Sequence, residues 1–234
     1  MRGKMIAATV IAAFAASAMG LAHAAGTSRS IDPANFVRHV TNPYYPLKPG
    51  TVLVYKGVRD RQTQVDHVYV THRTRTIEGV HATVVRDVAT HGSRLLEKTT
   101  DWFAQDKQGN VWYMGEATKA FGPNGQVSTE GSWLTGRNGA VPGIIMEANP
   151  RVADGYRQEY YKGHAQDQAW ILARGGTVRV PYGTIRHDIV SMEWTPLEPN
   201  VIDQKIYGPG IGIVRERSRT GPVEIANLVK IHRP

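Results

Sequence analysis

The chain contains no cysteine. That single absence excludes disulfides, thiol catalysis, cysteine metal sites and a lipid-modified N-terminal cysteine. Several catalytic signatures are missing as well. There is no Gly-x-Ser-x-Gly elbow, no His-Glu-x-x-His pair and no His-x-x-x-His helical spacing. Long apolar runs are scarce too. Only one exists, near the N-terminus, and no later stretch approaches the roughly 20 residues that a membrane-spanning helix needs.

That one run reads as an export signal. Arg2 and Lys4 supply a positive start, residues 5–21 an alanine-rich apolar segment, and Ala22-His23-Ala24 the small residues of a signal-peptidase site. Cleavage is expected after Ala24, with Ala25 the alternative, leaving 25–234 as a single β-rich domain behind a signal-peptide helix at 1–24. An uncleaved membrane anchor is the competing reading, which the shortness of the run disfavours. The expected location is therefore the periplasm or the cell exterior. Losing Arg2 and Lys4 lowers the formal charge from +8 to +6, still basic. Behind a signal peptide, such a charge faces lipid phosphates and acidic polysaccharide before nucleic acid, and scattered Lys and Arg also simply solvate strand faces.

What the chain does have is alternation. Asp101-Trp102-Phe103-Ala104-Gln105-Asp106 and Val111-Trp112-Tyr113-Met114-Gly115-Glu116 flank a short turn with Gly109 and Asn110, the pattern of an antiparallel hairpin. Alternation puts Trp102, Ala104 and Asp106 on one face and Asp101, Phe103 and Gln105 on the other. It likewise sets Trp112, Met114 and Glu116 against Val111, Tyr113 and Gly115. Large apolar groups on both faces predict a central hairpin covered on each side. Strands are also expected at 51–55, 64–77, 80–90, 156–161, 177–180, 185–194, 201–207, 211–219 and 225–231. Residues 163–173 read as a short helix or another strand. Asp32-Pro33 suggests a helix over 31–40. The proline-rich 42–50 segment should lay its paired tyrosines, Tyr44 and Tyr45, across the core as a lid. The fold class is all-β: an antiparallel meander forming a curved sheet, half-barrel or sandwich.

Residues 121–155 break the rhythm. They are rich in Gly and Pro yet carry Trp133, Leu134, Ile144, Ile145 and Met146, too apolar for a disordered tether, and read as a long ordered flap packed on the sheet.

Asn42-Pro43-Tyr44-Tyr45-Pro46-Leu47, the 101–116 hairpin, Pro142-Gly143-Ile144-Ile145-Met146, Tyr156-Arg157-Gln158-Glu159-Tyr160-Tyr161, Thr195-Pro196-Leu197-Glu198-Pro199 and Tyr207-Gly208-Pro209-Gly210-Ile211-Gly212 together carry a resemblance. The chain resembles a family of secreted bacterial β-rich proteins of uncharacterised activity, whose pattern reads NPYFPL-PG, DWYAQD-GNVWYFGE, PGIIM, YRQEYY, TPLEP and YAPGVG. One aromatic differs in the first motif, and Gly for Ala and Ile for Val in the last. The resemblance implies a periplasmic or extracellular β-rich domain and transfers no activity. The closing Pro-Gly-Ile-Gly-Ile-Val strand is also similar to that of periplasmic half-barrel proteins, some of which handle lipid or envelope assembly.

Three chemistries remain to weigh. A metal site has only His164 and Asp167 near Glu159 as a nucleus, more simply read as a surface pair, so neither metal nor cofactor is expected. A hydrolase acting on envelope glycan would need two facing carboxylates, with Glu130, Glu147 and Glu159 as candidates. Gly208-Pro209-Gly210-Ile211-Gly212 is a turn, since no helix follows and Pro209 lacks an amide for phosphate. The leading reading is non-enzymatic: an amphipathic ligand, lipid-like or glycan, bound under the flap. Trp112, Met114, Trp133 and Met146 would line the site, with Arg157 facing an anion. An envelope assembly or scaffold protein is the third class.

Overall fold

The computed structural model describes residues 31–59 and 61–234. The expected signal peptide lies outside the described residues. Asp32 does cap a turn, accepting from the Ala34 amide, and Pro33 opens it. The turn is a single 3-10 turn, Pro33–Asn35, and the helix expected to Val40 goes no further. Phe36 is pulled into extended geometry because it pairs with Asp106 and its ring meets Trp112 edge-on at 6.1 Å. Tertiary pairing outweighs a favourable cap here.

Everything else regular is strand. In chain order these are β1 (Phe36–Val37), β2 (Val52–Arg59), β3 (Gln62–Ile77), β4 (Val80–His91), β5 (Arg94–Asp106) and β6 (Val111–Phe121). Then come β7 (Val127–Ser128), β8 (Trp133–Leu134), β9 (Val141–Met146), β10 (Gly155–Arg157) and β11 (Glu159–Tyr160). Last are β12 (Gln168–Val180), β13 (Gly183–Trp194), β14 (Ile202–Gly208), β15 (Gly212–Thr220) and β16 (Glu224–His232). All pairs are antiparallel, in the order β10-β12-β13-β14-β15-β16-β2-β3-β4-β5-β6-β9-β11. The ambiguous 163–173 segment divides: a turn closed by the Tyr161–Ala165 bridge, then the start of β12 at Gln168.

The two ends of this sheet are β10 and β11, which only Gln158 separates in sequence. The chain from Gly155 to Tyr160 therefore draws the edges together, and the sheet curls into a nearly closed barrel. Closure brings backbone very near backbone. A Cβ on Gly143 would lie 2.3 Å from the Arg157 carbonyl oxygen, so only glycine fits.

Residues 121–155 are ordered and meet the sheet edge-on. β7, β8 and β9 pair in turn with successive parts of β6. Without them β6 would present an unpaired row of amides and carbonyls, so the segment serves as wall as well as cover.

The hairpin of β5 and β6 is buried on both faces. Phe103, Val111 and Tyr113 face the main core inside the barrel. Trp102, Ala104 and Met114 belong to a second cluster on the outer face with Ile77, Val80 and Val84. Ile31, Phe36, Trp112 and Leu134 pack on that outer cluster, and the Arg75 guanidinium sits 4.1 Å over the Trp102 ring. Strict alternation fails at one place. A bulge between Trp102 and Phe103 pairs them with Gly115 and Tyr113, so Met114 is the extra residue and Glu116 turns inward opposite Asp101. Gly115 sits there at φ 142, and a Cβ on it would come within 2.7 Å of the Trp133 carbonyl oxygen.

The proline-rich segment closes one end of the barrel. Tyr45 is buried against the Phe103 ring at 5.2 Å, and Leu47 joins the same core. Asn42 holds the segment in place. Its amide donates to the Gly109 and Glu147 carbonyls, and its side-chain oxygen accepts from the Tyr44 and Tyr45 amides. Both tyrosines lie against the core, Tyr45 within it. Tyr44, half-buried, packs on the edge of the same core while its hydroxyl donates to the His187 carbonyl.

Candidate functional site

The barrel interior is apolar at the plugged end and polar at the other. Along β3 the inward positions run Gln64, Asp66, Val68, Val70, and along β5 Glu97, Thr99, Asp101, Phe103. The first members of each series lie toward the end where β2 turns into β3 and β15 into β16. Ten carboxyl side chains are buried among the described residues, half of the 20 in the chain, against one buried lysine. Among the described residues the buried charge is thus mostly acidic, although the chain as a whole is basic.

Burial sets how those acids ionise. Lys205 donates to Glu193 at 2.7 Å and lies 3.9 Å from Glu216. Burial alone would push Glu193 up, but Lys205, with Ser191 and Tyr207 donating to the carboxylate, holds it below its ordinary value. Lys205 in turn is held well above its own. Several other acids go the opposite way. Burial pushes Glu216 up to about 7, Glu224 to about 8 and Asp203 to about 6, despite the nearby Lys205 and Arg59. Burial raises Asp66 above its ordinary value, and burial together with the neighbouring Asp66 carboxyl raises Asp87 well above the carboxylate range. Thr99 and Thr118 bond across β5 and β6, and Thr99 donates to Glu97. Tyr113 donates to Asp101 and reaches Glu116.

This polar half opens to solvent through a cavity of about 990 Å³. Gln64 and Glu97, both buried, form its floor. Arg59, Arg61 and Arg94 stand at its rim, and Leu96 and Phe121 give one wall an apolar surface. The floor is unfinished. Gln64 is 3% exposed, yet neither its amide oxygen nor its amide nitrogen has a hydrogen-bond partner. One guanidinium nitrogen of Arg59, Nη2, is likewise without a partner, while its Nε lies 3.7 Å from Glu224. Buried polar groups are nearly always satisfied, so an amide left open on a cavity wall points to something that occupies the cavity.

The residues singled out from sequence lie elsewhere. Trp133 and Met146 are in the main core, Trp133 edge-on to Tyr113 at 5.4 Å. Met114 is in the outer cluster, with Trp112 packed on it and donating its ring N–H to Asp106 at 2.8 Å. The four are thus divided between the two faces of the sheet and share no lining. Arg157 is exposed, its guanidinium 4.3 Å over the Tyr160 ring. Glu130 is exposed between β7 and β8, and Glu159 is buried on β11. Glu147, pushed up to about 7 by burial and then by Asp154, has Asp154 and Arg151 as its charged neighbours, neither of the other two acids. His164 stacks on Tyr161 at 4.3 Å. Among the described residues no group of three or more His, Asp or Glu is placed to hold a metal, and no helix is long and apolar enough to cross a membrane.

The floor residues carried a signal that residue type alone did not expose. Glu97, Thr99 and Asp101 share the face of Phe103, so whatever buries the phenyl ring must bury the acids too.

No family model matches the chain, and no curated protein does. Two solved structures are similar to it. One is a candidate exported protein with a YmcC-like fold from Bacteroides fragilis, 14% identical, with a TM-score of 0.49, covering 81% of this chain and 99% of that one. The other is a candidate lipoprotein from Parabacteroides distasonis, 16% identical, with a TM-score of 0.46, covering 82% and 99%. Neither likeness bears on function.

Proposed function

We propose that this chain is an exported, non-enzymatic barrel protein, periplasmic or extracellular, that binds an amphipathic small ligand in the cavity at the open end of the barrel. The unpartnered Gln64 amide on the cavity floor carries the reading. A side chain buried to that degree without a bond costs on the order of 1–3 kcal/mol, a cost that a ligand with hydroxyl, amide or ammonium groups removes. The apolar wall at Leu96 and Phe121 suits the other half of such a molecule. Hydrolysis draws less support, because Glu130 is exposed, Glu159 is buried on β11, and neither is among the charged neighbours of Glu147.

The test is direct. Protein purified from its native compartment is analysed intact by native mass spectrometry, and an organic extract of it by liquid chromatography and mass spectrometry. A small molecule should co-purify with the wild type and be lost from Gln64→Leu, a variant whose thermal unfolding temperature should not fall. Wild-type protein that carries nothing, and that no compound from an amphiphile and glycan panel stabilises against heat, would sink the proposal.

A further inference from the structure

The cavity has two electrical ends. Its floor is Gln64 and Glu97, and one step deeper on the inner faces of neighbouring strands lie Asp66 and Asp87. No Lys or Arg forms a salt bridge with Asp66 or Asp87 among the described residues. Its rim is Arg59, with Nη2 unpartnered, and the exposed Arg61 and Arg94, of which Arg94 donates to Gln62 at 3.2 Å. A purely anionic ligand would be held at the rim but would find carboxyl groups and no cation at the floor. A purely cationic one would have to pass three guanidiniums.

We infer that the ligand's head is a zwitterion, an ammonium and an anionic group a few atoms apart, lying with its ammonium on the carboxyl floor and its anion among the rim arginines. This rests on the reading above that the cavity binds a ligand, and it names that ligand's chemistry. The ammonium donates to the Gln64 Oε1 and faces Glu97, while the anion accepts from the Arg59 Nη2. Register supplies the spacing. Gln64 pairs opposite Gly57 and Arg59 opposite Gln62, so the two levels are two residues apart along each strand, about 6.5 Å. A head with two or three carbons between its charged groups spans that distance, and an apolar remainder lies along Leu96 and Phe121.

Isothermal titration calorimetry of the purified protein with O-phosphoethanolamine, ethanolamine and inorganic phosphate tests this, with flotation on phosphatidylethanolamine vesicles as a separate arm. O-phosphoethanolamine should bind at least tenfold more tightly than either half-molecule. Gln64→Leu and Arg94→Ala, each first shown to unfold at the wild-type temperature, should each erase most of that gain. Binding to the free head together with the vesicles assigns the zwitterion to a lipid, and binding to the free head alone to a soluble metabolite; both support the inference. Phosphate binding as tightly as O-phosphoethanolamine overturns it, and so does failure of all three probes. In either case a co-purifying uncharged molecule leaves the cavity reading standing, whereas an empty protein removes both.

Discussion

Replacing Lys205 with methionine takes the one lysine buried among the described residues out of the barrel while keeping most of its volume. At 2.7 Å and an effective dielectric near 20, the attraction to Glu193 is about 6 kcal/mol, and the second contact to Glu216 at 3.9 Å is about 4 kcal/mol. Desolvation of the lysine offsets much of this in the wild type. In the variant it is the two carboxylates that stay buried without their cation, and such one-sided removals cost roughly 3–5 kcal/mol. For a chain of this size that is a fall in Tm of about 10 °C. The cost should also depend on pH, with a definite sign. Lys205 holds Glu193 below its ordinary value of 4.5; without it, burial pushes Glu193 above that value. The folded variant then retains a proton that the unfolded chain has lost, so its stability rises as pH falls toward the ordinary carboxylate range. Urea unfolding at pH 5 and pH 8 measures both effects. The gap between wild type and Lys205→Met should be wider at pH 8, and Glu193→Gln added to the variant should narrow it there. A loss below about 1 kcal/mol, or a gap equal at the two pH values, would refute the reasoning that an acidic interior is held together by this one cation.

Three further outcomes follow from other parts of the fold. Glu224 is pushed up to about 8 by burial, so its folded form keeps a proton between about 4.5 and 8 that the unfolded form gives up, and stability should decline as pH rises through that window. Glu224→Gln should flatten the decline by an amount on the order of a few kcal/mol, read from urea unfolding across the window. Gly115→Ala should lower stability by about 2 kcal/mol or more, since its φ of 142 and the 2.7 Å approach to the Trp133 carbonyl both oppose a Cβ; a fully stable variant in thermal denaturation would show that the bulge is not needed. Asn42→Ala strands the Gly109 and Glu147 carbonyls and the Tyr44 and Tyr45 amides, so a loss of about 3 kcal/mol is expected, together with faster hydrogen exchange at Tyr45.

The sequence by itself determined the all-β class, the antiparallel meander and the two-faced hairpin at 101–116, because period-two alternation and turn residues are local properties of the chain. It also placed the proline-rich plug and the ordered nature of 121–155. Closure of the sheet was decided only by tertiary structure. It depends on β10 and β11, two very short strands, reaching opposite edges of the sheet, which no local pattern encodes. The same is true of Phe36, where pairing with Asp106 cut short a well-capped helix. The candidate site was missed for a related reason. Trp and Met residues draw attention as ligand contacts, but in this chain they are split between two cores that alternation could not assign to inside and outside. One bulged residue, Met114, shifted the phase of all that follows it on β6 and turned Glu116 inward. No local pattern marked the acids of the interior as neighbours of one another. Only a closed curve of strands, which gives every inward side chain the same confined space, makes them neighbours and, by burial, raises the proton affinity of Asp66, Asp87, Glu216 and Glu224.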